Sequence, residues 1–469
     1  MPITDFIENL TFDELRIGQE ALLQREITMA DIQAFALVSG DVNPAHVDEE
    51  YAQASRFHGV IAHGMFAGAL ISSLLGTEFP GPGTIYLAQS LKFELPVRVG
   101  DTLTVRLVVR AKNAAQGNVE FDCSVRNQHN DEVVSGTALV RAPRHKIKRA
   151  RAAMPTLHLF DPEARLLEWV NSLADGPAIS CAVVHPCDEE SLRGALDAAA
   201  QGLIVPVLVG PPARINALAQ AIGVCLDGLA RLDTPHSHAS AAAAAQMAAR
   251  GEVDMLMKGS LHTDELMNAV LAEPALRTGR RMSHVFRFEV PAYAKPLLVT
   301  DAAINIAPDL LVKADIVRNA IDLAHFMGVA RPKVAILSAV ETVTPRITST
   351  LDAAALCKMA DRGQITGAWL DGPLAFDNAI SAEAARIKGI TSRVAGAADI
   401  LVVPDLEAGN MLAKQLEYLA GASGCGVVLG AKVPIALTSR ADSAASRMAS
   451  AALAMLVARG VQAADIPGA

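Results

Sequence analysis

Arg141-Ala142-Pro143-Arg144-His145-Lys146-Ile147-Lys148-Arg149-Ala150-Arg151-Ala152-Ala153-Met154-Pro155 holds six Lys and Arg, two prolines and no acid. No apolar period of two or of 3.6 runs through it, so it reads as a solvated connector. The two sides differ in kind. Upstream, alternating β-type segments surround one apolar helix; downstream, strand-then-helix units repeat. The expected organisation is a domain over 1–142, a basic linker over 143–155 and a second domain over 156–469.

At 469 residues, 51% of them hydrophobic, the chain has material for two or three packed domains. Aromatic residues make up only 4%, which argues against base-stacking platforms, and the net charge of -9 leaves the basic junction as a short tether in an acidic protein. No nucleic-acid partner is expected. Six cysteines stand singly at 123, 181, 187, 225, 357 and 425 without a C-x-x-C pair. Neither a metal site nor a disulfide framework is expected, and the thiols read as core residues of a reducing compartment. The start lacks a basic n-region with an apolar h-region, and no long apolar run escapes charges or breakers. A cytoplasmic protein with no membrane partner is therefore expected.

In the first half, Leu22–Thr28 reads as a strand and Met29–Val38 as a helix closed by Ser39-Gly40. Asp41-Val42-Asn43-Pro44-Ala45-His46 follows; Pro44 excludes a regular helix through Asn43, so the spacing predicts that a turn presents Asp41 and His46. Phe57–Met65 leads into an apolar, small-residue helix over Met65–Leu75. Residues 84–95, 102–111, 118–128 and 132–141 alternate as strands. A carboxylate and an imidazole five residues apart can address one water, each giving or taking a proton. The Gly64 N–H, at a helix start, can stabilise a developing enolate oxygen.

Gly40-Asp41-x-Asn43-Pro44-x-His46-x-Asp48 with Ile61-Ala62-His63-Gly64-Met65 resembles the MaoC-type (R)-specific enoyl-CoA hydratases over about residues 10–142. The resemblance implies an α+β hot-dog fold that dimerises and adds water to a trans-2-enoyl-CoA. By position it makes Asp41 and His46 the water-activating pair and Gly64 an oxyanion donor, and gives His63 a packing, supporting or catalytic part.

The second half alternates strands and helices: apolar runs at 178–184, 204–209, 255–257, 297–300, 334–338, 367–370, 400–403, 426–429 and 435–438 are separated by helical segments. This is the pattern of a doubly wound α/β protein, whose ligands sit at strand carboxyl ends. Polar residues collect there: Lys258-Gly259-Ser260, Thr300 to Asn305, Pro404 to Asn410 and Thr438 to Ser443. Lys258-Gly259-Ser260 can cradle an anion but lacks a full nucleotide-binding loop. Ser439-Arg440 places a hydroxyl beside a guanidinium, suited to phosphate or a developing thiolate. Arg280 to His284 offers further cationic charge, its plain alternative being an exposed helix end.

Gly367 to Pro373, Pro404 to Asn410 with Lys414, and Gly430 to Arg440 resemble the phosphate acetyl/butyryltransferases, the butyryl branch most closely, over about 156–465. The resemblance implies two doubly wound sub-domains around a cleft, and acyl transfer from acyl-CoA to inorganic phosphate without a metal or a permanently bound cofactor. It places Ser439 and Arg440 at the leaving thiolate and the phosphate, with Lys258, Ser260, Asn305, Glu407, Asn410 and Lys414 as binding residues. The base that acetyl-type enzymes carry seven residues after the serine is replaced by Ser446, so Asp442 enters as its candidate substitute. Acyl-CoA and phosphate are the expected small-molecule partners, and a homo-oligomer the expected assembly. The alternatives for the first domain are an acyl-carrier dehydratase, a thioesterase or a silent dimerisation module.

Overall fold

The computed structural model describes residues 6–152, 161–173, 175–437 and 442–464. It divides into two compact units, Met1–Leu159 and Phe160–Ala469. Among the described residues no helix is long and apolar enough to cross a membrane.

The first unit contains β1 (Phe6–Glu8), β2 (Glu20–Glu26), α1 (Met29–Ser39), α2 (Pro44–Val47), α3 (Glu49–Ala54), α4 (Gly64–Thr77), β3 (Ile85–Phe93), β4 (Thr102–Asn113), β5 (Asn118–Arg126), β6 (Glu132–Arg141) and β7 (Lys148–Ala150). Five strands form an antiparallel sheet in the order β2-β4-β5-β6-β3. Side chains alternate across it, so Leu103, Val105, Leu107 and Val109 of β4 and Val119, Phe121, Cys123 and Val125 of β5 all face one core. Ala67, Leu70, Ile71, Leu74 and Leu75 of α4 fill that core. Full burial of each Leu, Ile, Val or Phe is worth about 1.5–3 kcal/mol, which makes α4 the helix around which the sheet closes. This is the hot-dog arrangement expected from the sequence.

Two local expectations change. Pro44 begins a helix: it stands at N1 of α2, where its missing N–H is not needed, and Asn43 caps by accepting from Ala45 N. His46 therefore projects from a single helical turn. The basic junction, too, starts as structure. Lys148–Ala150 pairs antiparallel with Phe6–Glu8, Phe12 N donates to Pro143 O, and Lys146 pairs with Glu8 and Glu14. The cations find acids some 130 residues away, a pairing no local period reports. Residues 153–155, the end of the expected linker, lie outside the described residues.

The second unit runs α5 (Pro162–Ser172), β8 (Ile179–Val184), α6 (Glu189–Ala200), β9 (Ile204–Gly210), α7 (Pro212–Ile222), β10 (Ala230–Asp233), α8 (Ser237–Ala249), β11 (Met255–Lys258), α9 (Thr263–Ala272), β12 (Ser283–Glu289), β13 (Leu297–Thr300), α10 (Leu310–Phe326), β14 (Lys333–Leu337), α11 (Thr348–Asp361), β15 (Trp369–Leu374), α12 (Phe376–Ile380), α13 (Ala382–Ile387), β16 (Ile400–Val402), α14 (Leu406–Tyr418), β17 (Ser423–Leu429), β18 (Ile435–Ala436) and α15 (Ala444–Ala464). The sheet order is β10-β9-β8-β11-β18-β17-β12-β13-β16-β14-β15. β10, β9, β8, β11 and β18 are parallel, as are β13, β16, β14 and β15. The antiparallel pair β17 and β12 joins the two groups. These are the two doubly wound halves, and the joint between them carries the cleft.

At that joint β17 reads Ser423-Gly424-Cys425-Gly426. A Cβ on Gly424 would lie 2.4 Å from the Phe288 ring, and one on Gly426 2.4 Å from His284 Nε2. Glycine thus lets His284, Phe286 and Phe288 lie across the neighbouring strand. Arg280 to His284 is not a helix end: Arg280 pairs with Asp322 outside the strand, and Ser283–Glu289 is buried along its length except for partly covered Phe286.

Candidate active sites

In the first unit, two segments are laced together. The Ile61 carbonyl accepts from His46 Nδ1–H at 2.7 Å, Ile61 N donates to Ala45 O at 3.2 Å, and His63 Nε2–H donates to the Asp41 carbonyl at 2.9 Å. A carbonyl only accepts, so His46 carries a proton on Nδ1, and the neutral ring is the tautomer that presents Nε2 as a lone pair. Asp41 follows the left-handed Gly40 cap of α1, and its carboxylate accepts from Asn43 N at 3.2 Å. Donor atoms of Asp41, His46 and His63 all fall within 4.8 Å of one another, close enough to share one water. Two imidazoles and a carboxylate are also a ligand set that a divalent cation can use.

His46 and Gly64 line one cavity of about 270 Å³, with Ala67, Phe93, Val133 and Val134 among its apolar walls. Gly64 is the first residue of α4, so its N–H has no acceptor within the helix and carries the positive end of the helix dipole. A Cβ there would stand 3.2 Å from the Phe93 ring. Asp41 is not a wall of this cavity; it reaches His46 from the preceding turn.

In the second unit a cavity of about 440 Å³ lies over the joint. Its walls include Lys258, His284, Phe286, Asn410, Lys414 and Asp442. Four of the residues singled out from the sequence therefore meet: Lys258, Asn410, Lys414 and Asp442. Lys258 ends β11, Asn410 and Lys414 share one face of α14 four residues apart, and Asp442 stands just before α15. α14 reaches the cavity because its first turns cross the loop after β13. A Cβ on Gly409 would lie 2.5 Å from Asp301 O, so only glycine permits that crossing.

Three others expected to bind stand outside the walls of this cavity. Asn305 donates both amide hydrogens within its own neighbourhood, to Met282 O at 2.8 Å and to Asp301 Oδ2 at 2.6 Å. Ser260 N donates to His185 O at 2.8 Å, and neither Ser260 nor exposed Glu407 lines the cavity. Ser439 and Arg440 lie outside the described residues.

His284, which the sequence offers only as part of a cationic stretch, is also a wall of this cavity. It is 1% exposed, its backbone N–H donates to Asp301 Oδ1 at 3.2 Å, and its Nδ1 is buried without a partner. Burial pushes its pKa down to about 4 against the opposing pull of Asp301, so the ring is neutral at ordinary pH. Asp301, among the polar residues that follow β13, shapes the loop: its carboxylate accepts from the backbone of Ala303, Ile304 and Asn305. The alternation in Ser283–Glu289 was the available signal, but burial on both faces of β12 blurs it.

An antiparallel sheet closed on a helix, followed by two doubly wound halves with a polar cleft at their joint, defines a two-domain protein, α+β and then α/β, with a separate cavity in each domain. Residues 14–130 match the family described as "MaoC like domain", and residues 237–455 the family described as "Phosphate acetyl/butaryl transferase". A phosphate acetyltransferase from Rhizobium meliloti is 60% identical over 294 residues, 62% of this chain and 93% of that protein. A phosphate butyryltransferase from Clostridium acetobutylicum is 44% identical over 278 residues, 59% of this chain and 92% of that protein. The crystal structure of a branched-chain phosphotransacylase from Enterococcus faecalis V583 covers 60% of this chain and 99% of its own, at 31% identity and a TM-score of 0.53. The chain belongs to the phosphate acetyl/butyryltransferase family, with a MaoC-like domain preceding the transferase domain. Of these two relatives the acetyl enzyme has the higher identity, against the expected leaning to the butyryl branch; the short motifs behind that leaning occur on a fold both share.

Proposed function

We propose that the chain carries two acyl-CoA activities: hydration of a trans-2-enoyl-CoA to the (R)-3-hydroxyacyl-CoA in the first unit, and acyl transfer from acyl-CoA to inorganic phosphate in the second. The observation that carries the first is the fixed tautomer of His46, whose Nε2 lone pair shares a cavity with the Gly64 N–H. Asp41 holds the water, and His46 takes its proton as the oxygen adds to C3. The Gly64 N–H supports the charge that grows on the thioester oxygen, and return of the proton taken by His46 to C2 completes the addition and leaves the ring neutral.

For the second activity, two lysines, an amide and two carboxylates converge on one cleft, in a chain 60% identical to a phosphate acetyltransferase over this region. Lys258 and Lys414 offer charge to phosphate and to CoA. Ser439 and Arg440, carried over from the family motif, are proposed to meet the leaving thiolate and the attacking phosphate.

Assembly with a second copy belongs to the same proposal. Strand β3 ends its sheet with Ile85 53%, Leu87 40% and Phe93 50% exposed, an apolar edge that another copy of the chain would cover. Sedimentation of the intact protein tests this, and a monomer at micromolar concentration would refute it.

Paired assays on the purified chain test the activities: hydration of crotonyl-CoA, and phosphate-dependent CoA release from acetyl-, propionyl- and butyryl-CoA. Absent hydration with intact acyl transfer would leave the first unit as a silent module. Hydration of acyl-carrier thioesters alone would make it a carrier-dependent dehydratase.

A further inference from the structure

The cleft floor pairs a row of rings with a strand of small residues. His284 and Phe286 meet edge to face at 4.3 Å, Phe286 stacks on Phe288 at 5.2 Å, and Gly424 and Gly426 leave room for the row. Of these rings only His284 has polar atoms. It lines the cavity with Lys258 and Lys414, is 1% exposed, and has one buried ring nitrogen without a partner. An unpartnered polar atom in such a place costs stability, which calls for a reason other than packing.

We infer that His284 donates a neutral N–H hydrogen bond to the thioester carbonyl oxygen while phosphate attacks. The inference rests on the proposed acyl transfer. In that reaction an oxygen of hydrogen phosphate bonds to the carbonyl carbon, and the π electrons move onto the carbonyl oxygen. Collapse of the adduct then expels the CoA sulfur, which takes the proton that phosphate brought. Atoms and charge balance without proton exchange at His284. Its part is to offer a dipole where charge grows, and a buried donor does this without reorganising. The lysines answer a different need, the charge of phosphate and CoA. Burial keeps the ring neutral across the working pH range, so it donates without adding a third cation to the cleft.

The test is steady-state kinetics of phosphate-dependent CoA release on the full chain, with both substrates varied, for H284F, H284N and H284Q. Phenylalanine preserves the ring row and removes the donor; asparagine and glutamine each reproduce one ring nitrogen. Expected for H284F is a fall in kcat of about 30–1000-fold with acyl-CoA KM within threefold, the usual worth of one oxyanion donor. H284N or H284Q should return to within tenfold of the parent. The pH profile should keep its shape between pH 6 and 9, because the donor does not titrate there. Near-parental turnover in folded H284F would show that the ring only packs, and failure of both amides beside an inactive H284F would overturn the donor role. If H284F does not fold, H284A with added imidazole replaces it: restored turnover is expected, and its absence counts against the inference. A parent without phosphate-dependent release would sink the proposed transfer and this inference together, whereas an active parent with an unaffected H284F would sink this inference alone.

Discussion

The imidazole of His63 stacks on that of His46, with centroids 3.9 Å apart and planes inclined by 31°, while its Nε2–H holds the Asp41 carbonyl at 2.9 Å. One buried ring therefore fixes the distance between a carboxylate and an imidazole that arrive on different turns. His63→Ala should lower kcat for hydration by about 10–100-fold with a small change in KM, because a misplaced near-attack geometry costs turnover first. His63→Gln, which keeps a donor near the Nε2 position, should recover most of the loss. Equal damage in both variants would reduce His63 to packing.

Asp41→Asn and His46→Ala should each reduce hydration by about 10²–10⁴-fold, the usual worth of a positioned acid or base. Acyl transfer, housed in the other unit, should be unchanged and serves as the folding control. Hydration within a few-fold of the parent in both variants would remove the pair from the mechanism.

Arg440→Lys should raise the phosphate requirement although charge is conserved, because an ammonium cannot reproduce the two parallel hydrogen bonds of a guanidinium. Ser439→Ala should lower turnover more than acyl-CoA binding, since its hydroxyl acts as thiolate charge develops. Kinetics with both substrates varied measure the two effects, and near-parental values for both would mean the motif residues do not face the phosphate.

Fragments 1–152 and 161–469 should each fold and keep one activity, since each contains one compact unit. Ending the first at 142 should lower its melting temperature, because that cut removes β7 and the Ile147–Asn9 hydrogen bonds that hold β1. Equal melting of 1–142 and 1–152 would show that the β1–β7 pair adds nothing.

Acid should weaken the second unit through His284. Its folded pKa of about 4 lies below the ordinary 6.5, so between those values the unfolded chain binds more protons and stability falls as pH falls. The full effect is about 3 kcal/mol, complete only below pH 4. Buried His185, also depressed, acts in the same direction, so the difference between parent and H284N isolates the His284 part. Urea unfolding at pH 5 and pH 7.5 should show a larger pH difference in the parent; identical differences would place His284 in an environment that tolerates its charge.

The sequence by itself determined the two-part organisation, because hydrophobic period is a local property: period two across β4, β5 and β6, and strand-helix alternation after residue 160. It also singled out Asp41, His46 and Gly64, whose chemistry is packed into two short motifs. Tertiary structure alone decided the rest. That His63 sets the Asp41–His46 geometry depends on a hydrogen bond spanning 22 residues. That residues 143–150 pack onto the first unit depends on pairing with Phe6–Glu8. Lys258, Asn410, Lys414 and Asp442 meet only because β17 and β12 join two parallel halves, and the Asn305 amide is held by Asp301 and Met282 O. Residue type and spacing report what a side chain can do; which partners it has depends on contacts between segments far apart in the chain, and those exist only after packing.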